Sequence, residues 1–132
     1  MMKTHCMRLT EGQDIKEEIN RFCTDNNIDA AVVLSSVGFV KYAVIRDAGG
    51  EDYHTIDENM EIMSVNGTIS KHRTHLHISF SKKDLSVIGG HMMKGCVVNT
   101  TCELVLLELD GTVFNSRYDS STGYEEIDIY KF

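Results

Sequence analysis

Proline is absent from all 132 residues. That excludes proline-rich linkers and rigid recognition arms, and it favours one compact unit over residues 1–132. The four cysteines, Cys6, Cys23, Cys96 and Cys102, form no CxxC pair. No window approaches the roughly 20 apolar residues of a membrane helix. The opening stretch MMKTHCMRLTEGQD has no apolar core followed by a small-residue cleavage site, so no secretory signal is read. A cytoplasmic protein with reduced thiols and no membrane partner is the resulting expectation. A phosphate-cradling GxxxxGKS/T loop is missing, and neither Ser35, Ser36 nor any cysteine sits in a nucleophile elbow or beside a paired base. There is no internal repeat and no low-complexity tract.

Positive charge is also scarce. Lys and Arg number 13 against 20 acidic residues, a net −7. This is a poor overall match to DNA, where affinity comes largely from cations on phosphates. The balance is uneven, however. Residues 70–94 hold Lys71, Arg73, Lys82, Lys83 and Lys94 against Asp84 alone, a local +4 that leaves −11 for the rest. An anionic small molecule would be drawn there, near Lys71, Arg73, Lys82 and Lys83. The alternative is a set of solvated lysines beside a hairpin.

What is present is mostly β-pattern. THCMRL (4–9) alternates as a first strand. Over residues 12–27, Ile15, Ile19, Phe22 and Cys23 recur at helical spacing. Asp14 is placed to cap that helix, with Glu17 three residues on. IDAAVVLSSVGFVKYAVIR (28–46) predicts two strands, with Ser35, Ser36 and Gly38 marking a bend or turn between them. Further strands are expected in YHTID, in MEIMSVNGTIS up to a turn at Asn66-Gly67, and in THLHISF. VIGGHMMKG reads as glycine-rich and irregular. CVVNTTCELVLLEL, TVFNSRY and EEIDIYKF complete seven to nine strands joined by short turns. The fold class is α+β, with a mostly antiparallel sheet.

Chemistry concentrates in THLHISF. Side chains alternate along a strand, so His75 and His77 share a face, with Cα atoms roughly 6.7 Å apart. Two imidazoles at that spacing can converge on one cation. His91 follows Gly89-Gly90, where the backbone can approach other groups closely. Three imidazoles with an open position match the catalytic type of zinc site. They suit Zn, Cu, Ni and Fe alike, and zinc is the ion taken forward. A polar strand face is the competing reading. His5, His54 and His72 have no such partner pattern. Glu103 interrupts an apolar strand, where it could ligate a metal, act as a base or orient a ligand histidine. It could equally be a wet edge residue. Cys96 and Cys102 read as small buried residues or as soft ligands.

Glu61-Ile-Met-Ser, His75-Leu-His77, Gly89-Gly90-His91 and Thr101-x-Glu103, with the Ser-x-Val-Gly stretch upstream, together resemble the PPC (plants and prokaryotes conserved) domain over nearly the whole chain. The resemblance implies an antiparallel sheet flanked by helices and a homotrimer. It also implies a metal site at His75, His77 and His91, and the provisional DNA-binding label that its single-domain members carry. The AT-hook of the plant relatives is absent, and a trimer of this chain would carry −21. The expected role is therefore a trimeric, metal-holding regulatory module more than an enzyme. A more distant likeness, in ligand pattern only, is to acetolactate decarboxylase. That implies a zinc-dependent lyase or hydrolase for small carboxylates or carbonyls, with Glu103 or Arg8 assisting.

Overall fold

The computed structural model describes residues 2–132. Nine strands and one α-helix follow in the order β1 (Lys3–Thr10), α1 (Ile15–Asp25), β2 (Ala31–Arg46), β3 (Tyr53–Ile56), β4 (Met60–Ile69), β5 (Thr74–Ser81), β6 (Val87–Met92), β7 (Val97–Glu108), β8 (Thr112–Asp119) and β9 (Tyr124–Lys131). The fold is thus the expected antiparallel one, and α1 alone supplies its helical layer among the described residues. Asp14 accepts the Glu17 amide at 3.0 Å, as the capping pattern predicts. Its other oxygen accepts the Gly95 amide at 2.6 Å, which pins the start of the helix to the loop after β6. Ile15, Ile19 and Cys23 are fully buried along one side of α1.

Seven strands form a sheet in the order β1-β7-β2-β4-β5-β6, with β3 also on β2. All its pairings are antiparallel. The last strand returns to the third: Ile45 pairs with Met92 and Arg46 with His91. β2, β4, β5 and β6 therefore close a circuit. Closure needs β2 to bend, and its pairing with β7 is irregular at Val33/Ser35, Gly38/Phe39 and Val40/Tyr42. Bulges of this kind twist and bend a strand without ending it. That corrects the expected break at Ser35, Ser36 and Gly38, since residues 31–46 form one continuous strand.

Two other expectations are corrected. The reversal expected at Asn66-Gly67 is absent, because β4 runs on to Ile69. Gly67 lies opposite Leu76, and a Cβ there would overlap the His75 carbonyl oxygen. The glycine thus serves a close strand approach. The turn comes at Ser70, whose hydroxyl accepts the His72 and Arg73 amides at 3.0 and 3.3 Å. Likewise VIGGHM is regular strand. Gly89 and Gly90 each face a backbone carbonyl of a neighbouring strand: added Cβ atoms would lie 2.6 Å from the oxygens of Ile78 and Arg46. Only bare backbone lets β6 close between β5 and β2.

Leu76, Ile78 and Phe80 of β5 join Ile45, Val65 and Met92 in one buried apolar cluster. Outside the seven-stranded sheet, β8 and β9 form a separate hairpin. It is docked by the Ser70 hydroxyl, which donates to the Phe114 carbonyl at 2.7 Å, and by the Phe114 amide, which donates to the Asp29 carbonyl at 2.9 Å. Among the described residues no helix is long and apolar enough to cross a membrane.

Candidate metal centre

The strand period puts Leu76 and Ile78 in the core and turns His75 and His77 outward. β6 then sets His91 directly opposite His77, and β2 sets Arg46 opposite His91. Cross-strand partners share a face. One row across the sheet therefore reads Asn66, His77, His91, Arg46, with His75 beside it opposite Thr68. Each of the three histidines offers a ring nitrogen, and these atoms all lie within 4.8 Å of one another. Ring centroids are 5.2, 5.2 and 5.8 Å apart. His75 and His77 are exposed, while His91 is half-buried.

The electrostatics favour the neutral ring at His91 and at His75. Burial, then the Arg46 guanidinium, pushes His91 from the ordinary 6.5 down to about 4. Burial, then His77 and Arg73, lowers His75 as well, with Glu126 opposing. A neutral imidazole has a free lone pair, which a metal ligand requires. The Nδ1 atom of His91 is buried and has no hydrogen-bond partner in the described residues. An orphaned polar atom of this kind is costly in a folded protein. It fits a donor that waits for a ligand.

Glu103 and Arg8 stand elsewhere. They face each other across the β7–β1 ladder, both exposed, and neither lines a cavity at the histidines. Cys96 and Cys102 are buried, and burial raises both thiols to about 11. The basic segment is largely neutralised. Lys71 pairs with Asp29 at 3.0 Å, Lys82 with Glu58 at 3.2 Å and Lys94 with Glu17 at 2.8 Å. Arg73 has no ion pair among the described residues. Its Nε donates to Ser116 of the hairpin at 3.1 Å.

Two cavities flank the histidines. One, of about 370 Å³, lies between His75, His91, Arg46 and Arg73 on the sheet and Tyr124, Glu125 and Glu126 on β9. The other, of about 670 Å³, opens beside His77, His91, Asn66 and Tyr124. Sequence reasoning missed Arg46 and the hairpin residues. Arg46 closes an apolar strand and lies 45 positions from His91, and no local spacing links them.

The sequence profile of the Plants and Prokaryotes Conserved (PCC) domain matches residues 1–110. Among curated proteins the chain is similar to bifunctional protein GlmU of two Synechococcus strains, JA-3-3Ab and JA-2-3B'a(2-13). Identity is 33% over 130 residues and 34% over 128. Those matches take 98% and 97% of this chain but 21% and 20% of the relatives, so the chain spans about a fifth of the length of the curated relatives it matches. A hypothetical protein from Salmonella cholerae-suis superposes with a TM-score of 0.96 at 32% identity, over 99% of this chain and 95% of that one. A metal-containing protein from Archaeoglobus fulgidus gives 0.78 at 29% identity, over 95% and 92%. A Bacteroides thetaiotaomicron protein with a provisional DNA-binding label gives 0.83 at 23% identity, over 97% and 96%, which speaks to the fold alone.

Proposed function

The chain belongs to the Plants and Prokaryotes Conserved domain family, and from that premise we propose that it is a self-associating module holding a divalent metal, zinc, at His75, His77 and His91. One observation carries this reading: three histidine nitrogens within 4.8 Å of one another, one ring keeping a buried Nδ1 without a partner. The metal-containing Archaeoglobus relative supports it. The donor set fits zinc, which takes imidazole nitrogens at roughly 2.0–2.1 Å. When bound by three histidines with a position open, zinc supplies Lewis acidity to a carbonyl or to water. The chain's own part is to hold three imidazoles together on the paired strands β5 and β6.

Self-association as a homotrimer is the second part of the reading. Leu34, Val37, Phe39 and Met63 on β2 and β4 are 40% to 58% exposed, an apolar outer surface that a second copy would cover. Four free cysteines suit a reducing compartment, the cytoplasm. Nucleic-acid binding is the weaker role. The sequence-local cations Lys71, Lys82 and Lys94 are spent on ion pairs, and net charge is −7. A metal-dependent activity on small carboxylates or carbonyls is the second reading, favoured by the 370 Å³ cavity at His75 and His91.

The test is metal content of untagged, unchelated protein by elemental mass spectrometry. About one zinc per chain is expected, lost in the His75→Ala/His77→Ala double variant, because two of three ligands are removed. A wild-type chain without metal would sink the proposal. For the activity reading, turnover of small carbonyl compounds by zinc-loaded protein, abolished by chelation, would carry it.

A further inference from the structure

The family profile ends at residue 110, yet the hairpin beyond it supplies one wall of the histidine cavity. Two arginines face that cavity. Arg46 lines both cavities, and its Nε is buried without a hydrogen-bond partner. Arg73 reaches Ser116 and, weakly, Thr68 at 3.5 Å, which leaves most of its five donors unused. Neither arginine has an ion pair among the described residues. In a chain of net charge −7, with most nearby lysines paired, two unpaired guanidiniums beside three histidines need an explanation. A guanidinium is a planar fork that matches a carboxylate with two parallel hydrogen bonds.

We infer that the cavity between Arg46, Arg73, His75, His91 and β9 is a seat for a small monocarboxylate, whose carboxylate lies on Arg46. The volume, about 370 Å³, is at the small end for ligand pockets. The opposite wall carries Glu125 and Glu126. Two carboxylates there oppose a dianion such as phosphate through like charge, while a monoanion set against the arginines keeps them at a distance. They would also accept a hydroxyl or amino group at the ligand's far side, as would Tyr124 and Ser116. The inference deepens the metal reading and rests on it for the cation that would face the ligand. The Arg46 anchor is separable from that cation and is tested separately.

The experiment is isothermal titration of L-lactate, and of inorganic phosphate in parallel, into zinc-loaded and zinc-free protein. Wild type is compared with Arg46→Gln, and zinc per chain is measured on every sample. Lactate is expected to bind zinc-loaded wild type, and to weaken about tenfold or more in Arg46→Gln at unchanged zinc content. Arg46→Lys, which keeps the charge and loses the fork, should fall between the two. Equal lactate affinity in wild type and Arg46→Gln, with zinc retained, would overturn the seat and leave the metal reading standing. Phosphate binding as tightly as lactate would overturn the monocarboxylate class. If wild type holds no zinc, the metal reading fails. The seat is then judged on zinc-free protein, where Arg46-dependent lactate binding upholds it and absence of binding overturns it.

Discussion

At the scale of single residues, the site depends on holding His75 and His91 below the ordinary imidazole range, which frees a ring lone pair for a ligand. His91 is the extreme case, held near 4 by burial and by Arg46. Its folded value lies below the ordinary 6.5, so protons bind the unfolded chain first. The stability it contributes to metal-free protein is therefore present above pH 6.5 and is lost as pH falls towards 4. In an NMR titration of zinc-free protein, the His91 ring resonances should move with a midpoint near 4. In Arg46→Gln the midpoint should rise, because the second cause of the shift is gone. A midpoint at 6.5 in wild type would contradict the burial described for this ring.

At the scale of elements, β6 is the keystone. It brings His91 to His77 and closes the sheet back onto β2. Gly90 permits this, since a Cβ would sit 2.6 Å from the Arg46 carbonyl oxygen. Gly90→Ala is expected to push β6 from β2 and to cost ~1–3 kcal/mol, the range for overpacked sites. It should weaken zinc binding too, because His91 moves with its strand. Urea denaturation of zinc-free protein and zinc content of the purified variant check both parts. An unchanged midpoint and full zinc occupancy would show that β6 has room to spare. VIGGHMMKG reads as irregular in sequence because its apolar alternation is interrupted by Gly89 and Gly90, the glycines that closure requires.

At the scale of the whole molecule, charge and apolar surface point in the same direction. Most cations of the 70–94 segment are matched by acids from distant segments, so the local excess does not become a broad basic face. The exposed Leu34, Val37, Phe39 and Met63 are a more consistent signal. Multi-angle light scattering should give roughly 45 kDa, three times the 14.9 kDa chain. Phe39→Glu, a charge placed on that surface, should lower the mass to one chain with zinc still bound. A monomer mass for wild type would remove the trimer. Retained zinc in a Phe39→Glu monomer would separate assembly from the metal site.

The sequence by itself determined the antiparallel α+β class, the helix with its Asp14 cap, and the pairing of His75 with His77 on one face. These follow from local periodicity, which needs no distant partner. It also pointed to His91 through the glycines before it. Only the tertiary structure decided that β2 is one bent strand, that Asn66-Gly67 lies within a strand, and that Lys71, Lys82 and Lys94 are paired. Register and ion pairing join segments tens of residues apart, and no short window contains them. The two strands of the β8–β9 hairpin were legible in TVFNSRY and EEIDIYKF, but the part that Arg46 and this hairpin play at the histidines was not: it exists only once the four-stranded circuit has closed.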